Sequence, residues 1–307
     1  TGCAGFIGSH VTDEFLKAGY NVTGLDSFTY AGKMENIDYA LRHPNFKMVR
    51  GNIITPTAVS TWIKESNVDW VVHLAAETHV DNSIESSDVF MKTNILGTKS
   101  ILDACRENKT KLLHFSTDEV YGSSLNRSFV ERSKLDPRNP YSASKAAAEH
   151  LITSYENTYG VEYIIVRPSN NFGPRQHSEK FLPTIIRKLQ SGQKIPVYGS
   201  GKQEREWMYV KETAKATRFI LENSRMNETY NISSRFHMQN IDVAKKVCEL
   251  MDKPDWRNWI DHVEDRPGHD FRYSINPSKL NRLGYFVDND FDKQLEETVN
   301  DFSCVWN

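Results

Sequence analysis

Short runs of β-branched and apolar residues recur along the first two-thirds of the chain. Five stand out: Asn21–Asp26 (NVTGLD), Phe46–Asn52 (FKMVRGN), Trp70–Ala76 (WVVHLAA), Lys111–Thr117 (KLLHFST) and Val161–Pro168 (VEYIIVRP). Apolar runs of this length suit strands buried on both faces of a parallel sheet. Between them, apolar positions spaced three and four apart predict helices over Ser9–Ala18, Pro56–Ser66, Val89–Asn108 and Tyr141–Tyr159. Strand–helix alternation predicts an α/β fold with a doubly wound parallel sheet. After Pro168 the pattern changes. A polar loop leads to a helix at Leu182–Ser191, and Lys194–Val210 reads as strand, turn, strand. A helix at Lys211–Glu222 and a strand at Thr229–Ser233 follow. Helices at Ile241–Met251 and Asp290–Val305 then flank the polar stretch VEDRPGHDFRY. The expected division is a sheet lobe, residues 1–168 with later returns near 205–233, and a smaller α/β lobe, 169–307.

Composition narrows the classes. A formal net charge of −2 over 307 residues, without Lys/Arg runs, leaves no electrostatic footprint for nucleic acid. Cys3, Cys105, Cys248 and Cys304 are spaced for neither a zinc site nor a disulfide framework. They read as reduced structural cysteines, which points to a cytoplasmic setting, and no metal is expected. No apolar run approaches the roughly 18 residues of a membrane span. The chain opens at Thr1 inside a motif, so the strand expected before Gly2 is taken to lie upstream.

That motif is TGCAGFIGSH, with Gly2, Gly5 and Gly8 spaced G-x-x-G-x-x-G ahead of a helical pattern. Such glycines permit a tight turn and close backbone approach to a pyrophosphate lying on the helix N-terminus. A glycine-rich turn alone is as often only a turn. Here Asp26 ends the next strand, 18 residues after Gly8, where a carboxylate binds an adenosine ribose and disfavours a 2′-phosphate. NAD is therefore expected rather than NADP. Asn52 stands at the next strand end, suited to the adenine amino group, and Ala75 and Ala76 are small enough for a cofactor to pass.

Two further stretches carry chemistry. In NPYSASKAAAEH, Tyr141 and Lys145 lie one helical turn apart, and a lysine near a phenol lowers its pKa toward a value useful for proton abstraction. That spacing arises by chance in many helices; after a glycine motif and a buried-strand series it reads as an alcohol-oxidising pair. In FSTDEVYG, Thr117, Asp118 and Glu119 close an apolar strand. The bland reading is a solvated loop or helix cap. The alternative is an acid and a base whose pKa values are driven apart by proximity and burial. His10, His73 and His114 read as structural, and His79 has no assigned role.

These motifs, with LDSFTYAGKMENI, HLAAETHVDNSI, TNILGT, RPSNNFGPRQHSEKF, PVYGSGKQEREWMYV and DRPGHDFRY, resemble the extended short-chain dehydrogenase/reductase superfamily almost end to end. More narrowly, the chain is similar to nucleotide-sugar 4,6-dehydratases of the dTDP-glucose type. The resemblance implies a Rossmann NAD-binding lobe and a substrate-binding lobe. It places catalysis on Thr117, Asp118 as acid, Glu119 as base, Tyr141 and Lys145. It places NAD against Phe6, Ile7, Asp26, Asn52, Ile53, Ala75, Ala76, Thr93, Tyr141, Lys145 and Asn171, beside the three glycines. It places the nucleotide-sugar against Thr78, Thr117, Asn170, Lys180, Phe181, Pro196, Val197, Tyr198, Arg205, Asn240, Arg266 and His269. Arg205 and Arg266 suit a diphosphate, and Tyr198 a nucleobase. Three departures stand against the family pattern: Asn52 for Asp, AAET for AAES and YVKE for YVED. Arg235–Gln239 matches it poorly, which bears on Asn240. The implied reaction converts an NDP-hexose to the 4-keto-6-deoxy sugar. A UDP-N-acetylglucosamine dehydratase, a 4-epimerase and an inactive cofactor-binding scaffold are the alternatives. A homodimer through the helices at Val89–Asn108 and Tyr141–Tyr159 is implied as well.

Overall fold

The computed structural model describes residues 1–124, 127–264 and 272–304. Strands β1 (Val22–Asp26) and β2 (Phe46–Arg50) pair in parallel. Strands β3 (Trp70–His73), β4 (Lys111–Phe115) and β5 (Tyr163–Pro168) form a second parallel set. The two sets are stitched by the first residues of the chain. Gly2 N–H donates to the Leu25 carbonyl at 2.8 Å, and the Thr1 carbonyl accepts from Leu74 N–H at 3.2 Å. Every β5 residue is buried, as a strand covered on both faces requires.

The two faces are legible in the alternation along β4 and β5. Leu112 and Ile165 join Ile63, Leu102 and Ile152 under the helices Pro56–Ser66, Thr98–Asn108 and Pro140–Tyr159. Leu113, Phe115, Ile164 and Val166 face the other way, under the helices Phe6–Lys17 and Val210–Asn223.

Beyond β5 the chain makes short strands whose partners are remote. β6 (Asn171–Phe172) pairs with β9 (Met208–Tyr209), β7 (Ile195–Tyr198) with β12 (Ile260–Val263), and β8 (Glu204–Glu206) with β11 (His237–Gln239). The two strands expected across Lys194–Val210 thus do not pair with each other. β10 (Glu228–Ile232) returns to the main sheet and pairs in parallel with β5. A second return, absent from the sequence reading, packs Leu280, Leu283, Tyr285 and Val287 into the same core. The smaller lobe has its own core around Phe172, Trp207, Val247 and Phe291.

Boundaries expected for the long helices hold to within three residues, with one change of type. Asp88–Asn108 runs as a helix whose middle, Met91–Gly97, is wound as π-helix. Such wide turns cluster at functional sites. Here Asn94 uses its amide to grip the main chain of Glu77, accepting from its N–H at 2.9 Å and donating to its carbonyl at 3.0 Å.

Candidate active site

Both lobes face a cleft of about 660 Å³ at the carboxyl ends of β4 and β5. Its floor is the stretch that closes β4. Ser116 N–H still donates to the Val166 carbonyl at 2.8 Å, holding the chain in the sheet. Thr117 is extended and caps a 3-10 turn, Asp118–Tyr121; its Oγ1 accepts from Glu119 N–H at 3.3 Å and donates to Asp118 Oδ1 at 3.3 Å. Val120 and Tyr121 are fully buried and anchor the turn, so both carboxylates line the cleft. Gly122 ends it at φ +79°, where a Cβ would stand 2.5 Å from the Asp136 carbonyl oxygen.

The two acids differ in environment. Asp118 is 5 % exposed, and its Oδ2 meets no hydrogen-bond partner among the described residues. Burial first, then the charges of Glu119 and Glu206, push its carboxyl well above the usual range; Thr117 and Arg205 oppose this. Glu119 is less buried and accepts from Asn139 Nδ2 at Oε2, 3.3 Å. One carboxyl thus has its neutral form favoured beside one that accepts from an amide donor.

Asn139 also caps the helix Pro140–Tyr159 through a reciprocal box with Ser142, with Pro140 in the first turn. This cap sets the first turn, and with it Tyr141 and Lys145, against the end of β4. Tyr141 is buried, and burial followed by the Glu119 charge raises its phenol; a hydrogen bond with Thr117 works the other way. Lys145 is also buried, and desolvation pushes its ammonium down to about 8, against the charge of Glu149. It donates to the Phe115 carbonyl at 2.6 Å and faces His114 Nε2 at 3.4 Å. Lys145 therefore grips β4, and the acidified phenol expected from the spacing is not produced by these side chains alone.

The glycine turn fits a dinucleotide. A Cβ on Gly8 would stand 1.9 Å from the Gly2 carbonyl oxygen, and one on Gly2 would stand 2.6 Å from Ala75 N. The helix Phe6–Lys17 has no side-chain cap and no acid in its first turn, leaving the N–H groups of Phe6 and Ile7 for an anion. Asp26 ends β1 with both oxygens engaged, accepting from Ala4 N–H at 2.9 Å and Phe28 N–H at 2.8 Å. Asn52 closes its own turn by accepting from Ile54 N–H at 3.0 Å. Ala76 follows Ala75 half-buried, and Thr93 lies half-buried in the π-helical segment. Ile53 is a core side chain packed on Gly97, 3 % exposed. The Asn171 amide is held by Ser169 and Thr213.

Thr78, Asn170, Lys180, Phe181, Pro196, Tyr198, Arg205 and Asn240 all line the cleft. The Lys180 ammonium donates to the Thr78 carbonyl at 3.3 Å and joins the lobes. Arg205 lies over the Tyr273 ring, 4.9 Å from its centre. Val197 is a correction. Strand alternation turns Pro196 and Tyr198 to the cleft and Val197 into the small-lobe core, 1 % exposed. Arg266 and His269 lie outside the described residues. Sequence reasoning missed Arg138, Asn139, Glu179 and Tyr273, all on the cleft. Asn139 alone had a local signal, as the residue before a proline-led helix. His79 caps the helix Val80–Glu85, accepting from Asn82 N–H at 3.3 Å. Among the described residues no group of three or more His, Cys, Asp or Glu could hold a metal, and no helix is long and apolar enough to cross a membrane.

Known proteins are similar to this chain over most of their length. The low-salt glycan biosynthesis protein Agl12 of Haloferax volcanii is 40 % identical over 98 % of this chain and 96 % of its own. A dTDP-glucose 4,6-dehydratase of Xanthomonas campestris pv. campestris is 38 % identical over 98 % of this chain and 91 % of its own. The crystal structure of a DesIV double mutant, a dTDP-glucose 4,6-dehydratase from Streptomyces venezuelae with NAD bound, superposes with a TM-score of 0.95 at 35 % identity, covering 98 % of this chain and 95 % of that one. With the GDP-mannose 4,6 dehydratase family matched over residues 1–298, the chain belongs to that family.

Proposed function

We infer that the chain is an NAD-dependent nucleotide-sugar 4,6-dehydratase, with dTDP-glucose or UDP-glucose as substrate. The observation that carries this reading is the buried Asp118, its carboxyl pushed above the usual range, beside Glu119 on one cleft with Tyr141. NAD, when bound, accepts the C4 hydride and returns it to C6. Tyr141 takes the O4 proton, and Thr117 hydrogen-bonds O4. The C4 ketone acidifies the C5 proton, which Glu119 removes as general base. Asp118 protonates the departing 6-hydroxyl, so water leaves, and Glu119 returns its proton to C5. The product is the NDP-4-keto-6-deoxyhexose. Each cycle leaves Tyr141 one proton richer and Asp118 one poorer. The Thr117 hydroxyl, bonded to Asp118 at 3.3 Å and in reach of the phenol, lies between them.

A 4-epimerase needs no acid to expel a hydroxyl, so a carboxyl held protonated at the strand end favours dehydration. The lobe division at residue 168 follows the same reading, with NAD on the sheet side and the sugar nucleotide between the lobes. Buried free Cys3, Cys105 and Cys248 support a reducing, cytoplasmic setting. A homodimer is part of the reading.

Mass spectrometry after incubation with dTDP-glucose, UDP-glucose and UDP-N-acetylglucosamine tests it. Loss of one water from the first or second is expected; loss from the third alone moves the substrate to the acetamido sugar. An unchanged mass with altered C4 configuration would establish an epimerase. Glu119→Gln should keep NAD binding while dehydration falls about 10²–10⁴-fold, the typical worth of a general base.

A further inference from the structure

Two imidazoles lie side by side beneath the active site, His73 in β3 and His114 in β4. They are partners in the parallel register, with ring centres 5.2 Å apart. Both are buried, and burial and the nearby Lys145 charge hold both neutral. Their hydrogen bonding separates them. Both His73 nitrogens have partners, Thr1 Oγ1 at 2.8 Å and Thr98 Oγ1 at 3.1 Å, as a structural core histidine should. His114 has one nitrogen on the Lys145 ammonium and the other, Nδ1, without any partner among the described residues.

A buried nitrogen without a partner is costly, and an apolar side chain there would avoid that cost, as Leu112 and Leu113 do in the same strand. The ammonium fixes the tautomer. It has three N–H donors and no lone pair, so Nε2 accepts and the ring proton sits on Nδ1. One ammonium proton goes to the Phe115 carbonyl and a second to His114, two successive residues at the end of β4.

We propose that His114 is a positioning residue: it accepts from Lys145 and holds the ammonium charged and oriented at the end of β4, at the expense of its own Nδ1–H. This rests on the dehydratase reading, in which Lys145 serves as a cation beside Tyr141. The groups facing Lys145 are His114 and His73 from the sheet, and Tyr141 and Glu149 on its own helix. Among the described residues, His114 is the one that accepts directly from the ammonium through a side chain. Removing the acceptor weakens the charged form, so the ammonium loses its proton at lower pH.

The first test uses the unaltered holoenzyme. Long-range ¹⁵N–¹H correlation of labelled histidine should show His114 as the Nδ1–H tautomer; an Nε2–H tautomer overturns the proposal whatever the enzyme's substrate proves to be. The second compares His114→Leu with His114→Gln, whose amide oxygen restores an acceptor. His114→Leu should move the alkaline limb of the kcat profile down by about one pH unit, the scale of a hydrogen bond to a charged group. His114→Gln should bring the limb most of the way back. A limb that stays in place in a folded His114→Leu, with only the melting temperature changed, makes His114 a packing residue and overturns the proposal. If His114→Leu does not fold, the tautomer decides.

Discussion

At the residue scale, chemistry depends on one proton being held where water would strip it. Asp118 suits the role of acid proposed above because the turn that carries it is anchored by Val120 and Tyr121, which takes the carboxyl out of solvent. Burial, then Glu119 and Glu206, raise its folded-state pKa above the ordinary carboxylate value. The folded chain therefore binds the proton more tightly than the unfolded chain does. That contribution to stability is complete below the ordinary carboxylate pKa and is lost as pH rises through the folded-state value. Asp118→Asn keeps the shape without the charge. It should lower kcat about 10²–10⁴-fold. Relative to the parent it should melt higher near pH 7 than near pH 4, the difference growing across that interval. Equal melting differences at both pH values would mean that Asp118 is not held protonated. That Thr117, Asp118, Glu119, Tyr141 and Lys145 come together near the end of β4 was legible in the sequence, because each sits in a short contiguous motif at a strand end or helix start. The partners of Lys145 were not, since the spacing to Tyr141 says nothing of the β4 carbonyl and imidazole that take its protons.

Elements matter here through one buried clamp. Arg167 of β5 donates from Nε to Glu149 Oε1 at 2.9 Å, on the helix of Tyr141 and Lys145. Its Nη1 donates to Tyr121 Oη at 2.5 Å, at the end of the turn of Asp118 and Glu119. Tyr121 Oη in turn donates to Asn231 Oδ1 of β10 at 2.9 Å. Two strands, a helix and the acid-bearing turn thus meet on one guanidinium, with side-chain exposures of 6 % for Arg167 and 4 % for Glu149. Arg167→Met leaves the Glu149 carboxylate buried and unpaired, which costs about 3–5 kcal/mol. Urea unfolding should show that loss, and the double variant Arg167→Met/Glu149→Leu should recover most of it. A single variant within about 1 kcal/mol of the parent would show that the pair adds little. Long elements were readable because their periodicity and punctuation agree, as with Pro140 and Gly160 bounding the second long helix. The partners of the short strands β6, β8, β9 and β11 were not. Each has two or three residues and a partner set by the path of the chain, so no local pattern announces it. Val197 failed for a related reason: PVY was treated as one contact surface, whereas its period of two splits it between cleft and core.

Across the whole molecule, the cleft lies where the sheet ends meet the second lobe, and a different face remains open. The long helices Asp88–Asn108 and Pro140–Tyr159 lie side by side, joined by the Tyr155 hydroxyl donating to Asp103 Oδ1 at 2.7 Å. Their outer surface carries Val89, Leu96 and Tyr159, respectively 45 %, 55 % and 52 % exposed. Val89 and Leu96 lie two turns apart on the first helix, while Tyr159 packs on Arg106 near that helix's far end, and exposed apolar side chains of this kind suit a contact surface. The same helices bear Asn94, Tyr141 and Lys145 on their inner side, so a partner chain on the outer side would brace the catalytic helix without entering the cleft. Sedimentation at micromolar concentration should find a two-fold mass for the parent chain. Leu96→Glu puts a charge on that surface and should shift the mass toward one chain. Turnover per chain should fall only as far as the second long helix loses support. A parent chain that sediments as a monomer, or a Leu96→Glu variant that still pairs, would remove this face from the assembly.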